Sequence, residues 1–141
     1  MTSEAPRGLR LGRSIAGILA AILLNVAFSL GLDTVFHMAG VYPPMDQGMF
    51  ETSDNLLAFS YRFVITVFAN VIGLRVAGYA PRGHAIALGA VGLALGTLGA
   101  VVTTLLMEQD LGPDWYPWAL AASAIPCAWA AWAIVVRRPA A

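Results

Sequence analysis

The chain contains no lysine, one cysteine and little charge of either sign: charged residues make up 11% of its 141 positions. Soluble globular proteins carry about 25%, so a fully solvated surface is excluded. The lone cysteine, Cys127, rules out an intrachain disulfide and any CxxC redox or zinc motif. Its place in an apolar run marks it as a small buried hydrophobe. GxSxG, HExxH, Walker and dinucleotide-glycine motifs are also missing, and the glycine-rich stretch after residue 84 lacks the strand that a phosphate loop requires. The zero net charge shows no basic footprint for nucleic acid. No cofactor, no metal and no nucleic-acid partner are expected, and an enzyme is the least supported class.

What the chain has is apolar length. Hydrophobic residues form 59% of it, and four stretches reach the roughly 20 residues that a helix needs to cross a bilayer. They run from about Ile15 to Met38, Leu56 to Ala77, Ala85 to Met107, and Trp115 to Val136. In lipid each backbone amide must be satisfied within its own segment, so these are read as helices. The expected fold is an all-α membrane protein, an antiparallel up-down bundle of four transmembrane helices. Residues 1–13 are read as a polar basic tail, 14–138 as one transmembrane domain and 139–141 as a C-terminal tail. A cleaved signal peptide is the competing reading of the first stretch, but the run is longer than the usual apolar region and no small-x-small site follows it.

Charge sets orientation. Arg7, Arg10 and Arg13 precede helix 1, Arg75 and Arg82 flank the second connection, and Arg137 and Arg138 close helix 4. The other two connections hold Asp46, Glu51, Asp54, Glu108, Asp110 and Asp114 and no basic residue. By the positive-inside rule both termini are cytoplasmic. All basic residues being arginine, in an Ala- and Gly-rich chain, fits a GC-rich bacterial gene, so the expected location is the bacterial cytoplasmic membrane, crossed several times.

Inside helix 1 the segment NVAFSLGLDTVFHM places Asn25, Ser29, Asp33 and His37 four apart, one slanted polar ridge. Helix 2 answers with Arg62, Thr66 and Asn70, also four apart. In an antiparallel pair, equal depth means a constant sum of residue numbers, and Asp33 with Arg62, Ser29 with Thr66 and Asn25 with Asn70 all sum to 95. An unpaired charge at that depth costs at least about 2.5 kcal/mol on insertion scales, so an intramembrane salt bridge between Asp33 and Arg62 is expected. The seam reads either as helix-fixing glue or as an ion or proton pathway through Asp33, His37 and Arg62. Asp33 and His37 alone fall short of the three or four ligands that zinc needs.

Helix 3 carries Gly89, Gly92, Gly96 and Gly99, a small-residue stripe for close packing. Helix 4 offers Ala119, Ser123, Cys127, Ala130 and Ala131 as a matching face, and Pro126 should kink it. His84 is read as an interfacial residue or helix cap, and Ser53 or Asp54 as the cap of helix 2.

Asp33 near the end of helix 1, the AFSYR segment ending at Arg62, APRGHA from Ala80 to Ala85 with the glycine row behind it, and GPDWYPWAL from Gly112 to Leu120 together form a pattern. It resembles small four-helix integral membrane proteins of bacterial genomes. That resemblance covers most of the chain beyond the N-terminal tail and implies the four-helix fold, but no activity, ligand or catalytic residue. The length also matches small multidrug transporters, whose membrane-embedded glutamate in the first helix is missing here.

The leading expectation is an accessory or assembly subunit acting through helix contacts. Its alternative is a small oligomeric transporter or channel for protons, ions or a small solute. A membrane enzyme built on Asp33, His37 and Tyr61 ranks third. The partners expected are the lipid bilayer and either further copies of the chain or a larger membrane complex. Reporter fusions test the orientation: a reporter active only in the cytoplasm should work at the C-terminus, and a C-terminal reporter active only outside would refute it.

Overall fold

The computed structural model describes residues 7–137. The first six residues of the expected basic tail, Arg138 and the expected C-terminal tail lie outside the described residues. The described chain is all-helical, with four helices long and apolar enough to cross a membrane: α1 (Arg7–Met38), α2 (Thr52–Ala77), α3 (Pro81–Val101), which runs on through a π-helical turn (Val102–Leu106), and α4 (Trp115–Arg137).

The helix boundaries follow local chemistry. α1 starts at Arg7, ahead of its apolar run, and the Tyr79 hydroxyl ties this first part to the α2–α3 connection by donating to the Arg10 carbonyl at 2.8 Å. Ser14 hydrogen-bonds both Tyr79 and, at 2.8 Å, Nε2 of His84. His84 also places Nδ1 3.1 Å from the Ala80 carbonyl at the start of α3, so it joins three elements.

α2 starts at Thr52 behind Glu51, with no side-chain cap. Ser53 and Asp54 therefore lie inside the first turn and do not cap it. Asn55 holds this end instead, donating to the carbonyls of Met49 and Glu51 at 2.8 and 2.9 Å. α2 ends at Gly78, whose positive φ of 70° lets its N–H return to the Leu74 carbonyl. At the far end of α3 the Thr103 and Thr104 hydroxyls bond the carbonyls of Gly99 and Ala100 at 2.9 and 2.7 Å. Those carbonyls then compete for partners, the coil widens to π geometry, and Met107 closes it onto Val102. α4 continues through Pro126.

Packing runs α1 on α2, α2 on α4 and α4 on α3, while α1 and α3 barely touch. Two seams of small residues hold this order. A Cβ on Gly17 would sit 2.5 Å from the Gly73 carbonyl, and one on Gly73 would sit 2.6 Å from the Gly17 carbonyl and 2.8 Å from the Ala21 methyl. At the other end of the same pair, Phe28 meets Phe68 and Asp33 meets Arg62, so residue numbers rise on α1 as they fall on α2. The second seam joins α3 to α4: Gly89 faces Ala128, Gly92 faces Ala124 and Gly96 faces Ala121, whereas Gly99 has open space around it.

The α4 face against α3 is therefore Ala121, Ala124 and Ala128, not the row through Ser123 and Cys127. The reason is that α4 serves two neighbours. Cys127, fully buried, turns to α2 and points its thiol at the Phe63 carbonyl. Large apolar side chains such as Leu19, Phe28, Val64, Leu98 and Trp129 remain on the outside of all four helices, the surface of a multi-pass membrane protein.

The two glycine environments predict opposite signs. Gly73→Ala should lower stability by about 1–3 kcal/mol, the usual cost of overpacking. Gly99→Ala meets nothing and should raise it by up to about 1 kcal/mol through helix propensity. Thermal unfolding of both variants in one detergent checks this, and equal shifts would refute the seam.

Candidate functional site

The polar ridge of α1 and that of α2 meet beyond the glycine seam. Arg62 and Tyr61, neighbours on α2, both reach the carboxylate of Asp33: the Tyr61 hydroxyl donates to Oδ1 and the Arg62 guanidinium to Oδ2. The ion pair is partly open, with side-chain exposures of 29% for Arg62 and 17% for Asp33. Behind Tyr61, the hydroxyl of Tyr42 donates to it at 3.4 Å. Tyr42 is buried, which pushes its phenol pKa up and keeps it a donor. The result is a one-way chain, Tyr42 to Tyr61 to Asp33, clamped by the edge of Phe36 against both phenol rings.

Below the pair the ridges interlock with a shifted register. Thr66 lies 3.2 Å from Oδ1 of Asn25, and Ser29 donates to the same oxygen at 3.4 Å, so Thr66 meets Asn25 and not Ser29. The Thr66 hydroxyl has one proton, shared with the Arg62 carbonyl at 2.7 Å. Asn70 is buried, and no hydrogen bond joins it to Asn25. His37 lies one turn beyond Asp33 but is engaged elsewhere: Nδ1 sits 2.5 Å from the Pro43 carbonyl. A carbonyl only accepts, so Nδ1 carries the proton and His37 anchors the connection after α1.

Two cavities follow from the thin contact between α1 and α3. One, of about 620 Å³, reaches in from the acidic connections and is lined by Asp33, Arg62, Thr103, Thr104, Asp114 and Tyr116, with Gly99 and Leu111 among its apolar walls. The other, of about 420 Å³, lies deeper and takes in Asn25, Ser29, Thr66, Asn70 and Ser123. Both are bordered by the same four residues, one from each helix: Leu30, Arg62, Gly96 and Leu120. Arg62 thus stands in the layer between them, and its Nε is fully buried without a hydrogen-bond partner. The two acidic connections are tied over the outer cavity by the Met49 N–H, which donates to the Leu111 carbonyl at 2.8 Å.

All seven ridge residues line one cavity or both: Asp33 and His37 the outer one, Asn25, Ser29, Thr66 and Asn70 the inner one, and Arg62 both. Of the glycine stripe, Gly92 borders the inner cavity, Gly96 both and Gly99 the outer one, while Gly89 packs on α4. Sequence reasoning missed Tyr116, Thr103 and Thr104, which belong to other helices and share no spacing with the ridge. No group of three or more His, Cys, Asp or Glu side chains able to hold a metal occurs among the described residues. Compared with protein-family profiles, curated proteins and solved structures, the chain matches none.

A double-mutant cycle tests the pair. Asp33→Asn and Arg62→Gln should each destabilise the protein, and the double variant should recover a coupling of about 1–2 kcal/mol. Additive losses in thermal unfolding would show that the two charges do not act together.

Proposed function

We propose that this is a small-solute transport protein of the bacterial cytoplasmic membrane, with both termini cytoplasmic and its four helices antiparallel. The single observation that supports transport is the pair of cavities in series, separated by one layer of one residue per helix. A site of several hundred Å³ with apolar walls and a few convergent polar groups suits a small molecule. In this orientation the larger cavity opens toward the outer face, the Asp33–Arg62 pair lies within the membrane at its floor, and Arg62 closes the way to the inner cavity. At the inner end α1 and α2 close on each other at Gly17 and Gly73, and Ser14 of α1 is hydrogen-bonded to His84 of α3.

Asp33 is held by two donors and His37 by Pro43. Asp33 is not placed as a free proton carrier, which favours a solute over a proton as cargo.

A different observation favours an accessory or assembly role. α1 and α3 barely touch and are joined by the Ser14–His84 hydrogen bond at one end, so one side of the bundle is open over most of its length, and a helix from a second copy or a foreign subunit would seat there. The two readings part on access. In a Cys127→Ser background, Thr104→Cys should react with a membrane-impermeant thiol reagent applied to intact cells. Failure to react, together with a stoichiometric foreign subunit in the mild-detergent extract, would replace transport with the accessory role.

A further inference from the structure

We propose that the outer cavity takes an amphipathic organic monocation, and that Arg62 is the tethered charge this ligand displaces from Asp33. The proposal rests on the transport reading above and deepens it by naming the ligand class.

The charges of the cavity decide the class. Asp33, Asp110 and Asp114 line it, against the single guanidinium of Arg62. One carboxylate is neutralised by Arg62, and two remain. The connections around the mouth add Asp46, Glu51 and Glu108, and the first turn of α2 adds Asp54, without any basic residue. An anion would have to pass this field and then compete with Asp33 for Arg62. A cation is drawn inward by the same field and finds a carboxylate at the floor. The walls are mostly apolar, and the Tyr116 ring lines the cavity, which suits an apolar body and offers a face to the cationic head. A small inorganic cation would leave that apolar volume unused.

Arg62 makes the site exchangeable. Its head occupies the position on Asp33 that a ligand ammonium would take, while Tyr61 can stay on the other carboxylate oxygen. The displaced guanidinium has a place to go. Arg62 borders the inner cavity, where Asn25, Ser29, Thr66 and Asn70 supply oxygen acceptors, and its unpartnered Nε gains a hydrogen bond there. The movement takes Arg62 out of the layer it shares with Leu30, Gly96 and Leu120, so arrival of the cation and opening of the layer are one event. No proton or electron is transferred. Asp33 exchanges one cationic partner for another, and the displaced guanidinium is held by neutral oxygen acceptors.

Three probes with one body and different heads test this: 4-phenylbutylammonium, 4-phenylbutanol and 4-phenylbutyrate. Each is titrated calorimetrically into the full chain in nanodiscs of zwitterionic lipid. The ammonium should bind at least about tenfold tighter than the alcohol, with the carboxylate weakest. Asp33→Asn should abolish that preference, and Arg62→Gln, by removing the competitor, should tighten ammonium binding about tenfold. Should the Arg62 variant fold poorly, Asp110→Asn with Asp114→Asn, outside the helices, should still reduce the ammonium preference severalfold. Equal binding of the three heads, tightest binding of the carboxylate, or weaker ammonium binding by a folded Arg62→Gln protein would overturn the proposal and leave the cavity reading standing. If none of the probes binds while Thr104→Cys fails to label, the cavity reading itself falls.

Discussion

Close backbone approach at two small-residue seams is the constraint on which the rest of this structure depends. Where Gly17 faces Gly73, no side chain separates α1 from α2. Further along, the same two helices must accommodate Tyr61, Arg62, Asp33 and Phe36. The pair is in backbone contact at one end and carries these large side chains between the helices at the other. The α3–α4 seam, built on Gly89, Gly92 and Gly96, does the same work in the second pair. Each pair is tight within itself, and the two are joined chiefly through α2 and α4. The space between α1 and α3 is what remains.

That space governs the chemistry. Polar side chains in lipid are normally spent on one another, and part of the ridge is used that way, with Asn25 accepting from Ser29 and Thr66. Arg62 is not fully spent. Its terminal nitrogen is on Asp33, its Nε has no partner, and cavities lie on both sides of it. A residue meant only to fix helix register gains nothing from facing two voids. The π turn points the same way. Thr103 and Thr104 widen the end of α3 where it borders the outer cavity, and such turns recur at functional sites.

The cytoplasm-facing end of the proposed orientation is built differently. Tyr79, Ser14 and His84 form a compact hydrogen-bonded knot between α1, the α2–α3 connection and α3. Arg10 stacks over Tyr79 at 5.8 Å. One end of the bundle is thus joined by glycine contact and a polar knot, and the other by an ion pair and by a backbone hydrogen bond between two acidic connections.

The sequence by itself determined the four helices long and apolar enough to cross a membrane, because about 20 apolar residues admit no other backbone form in lipid. It also determined the meeting of Asp33 with Arg62, because the four-residue spacing on both helices puts complementary charges at matching positions. Other features lay in the sequence but were masked by their surroundings. Gly17 with Ala21 and Gly73 with Ala77 are small pairs at helical spacing, yet they are hard to single out in a chain so rich in alanine and glycine. The choice of Ala121, Ala124 and Ala128 over the Ser123–Cys127 row depended on α4 serving two neighbours, which no single helix pattern encodes. Only the tertiary structure decided that Tyr116 shares a cavity with Arg62, that His37 bonds Pro43, and that α1 barely touches α3. Spacing along one helix tells which side chains share a face. Which faces are left without a neighbour is settled only when all four helices compete for the same contacts.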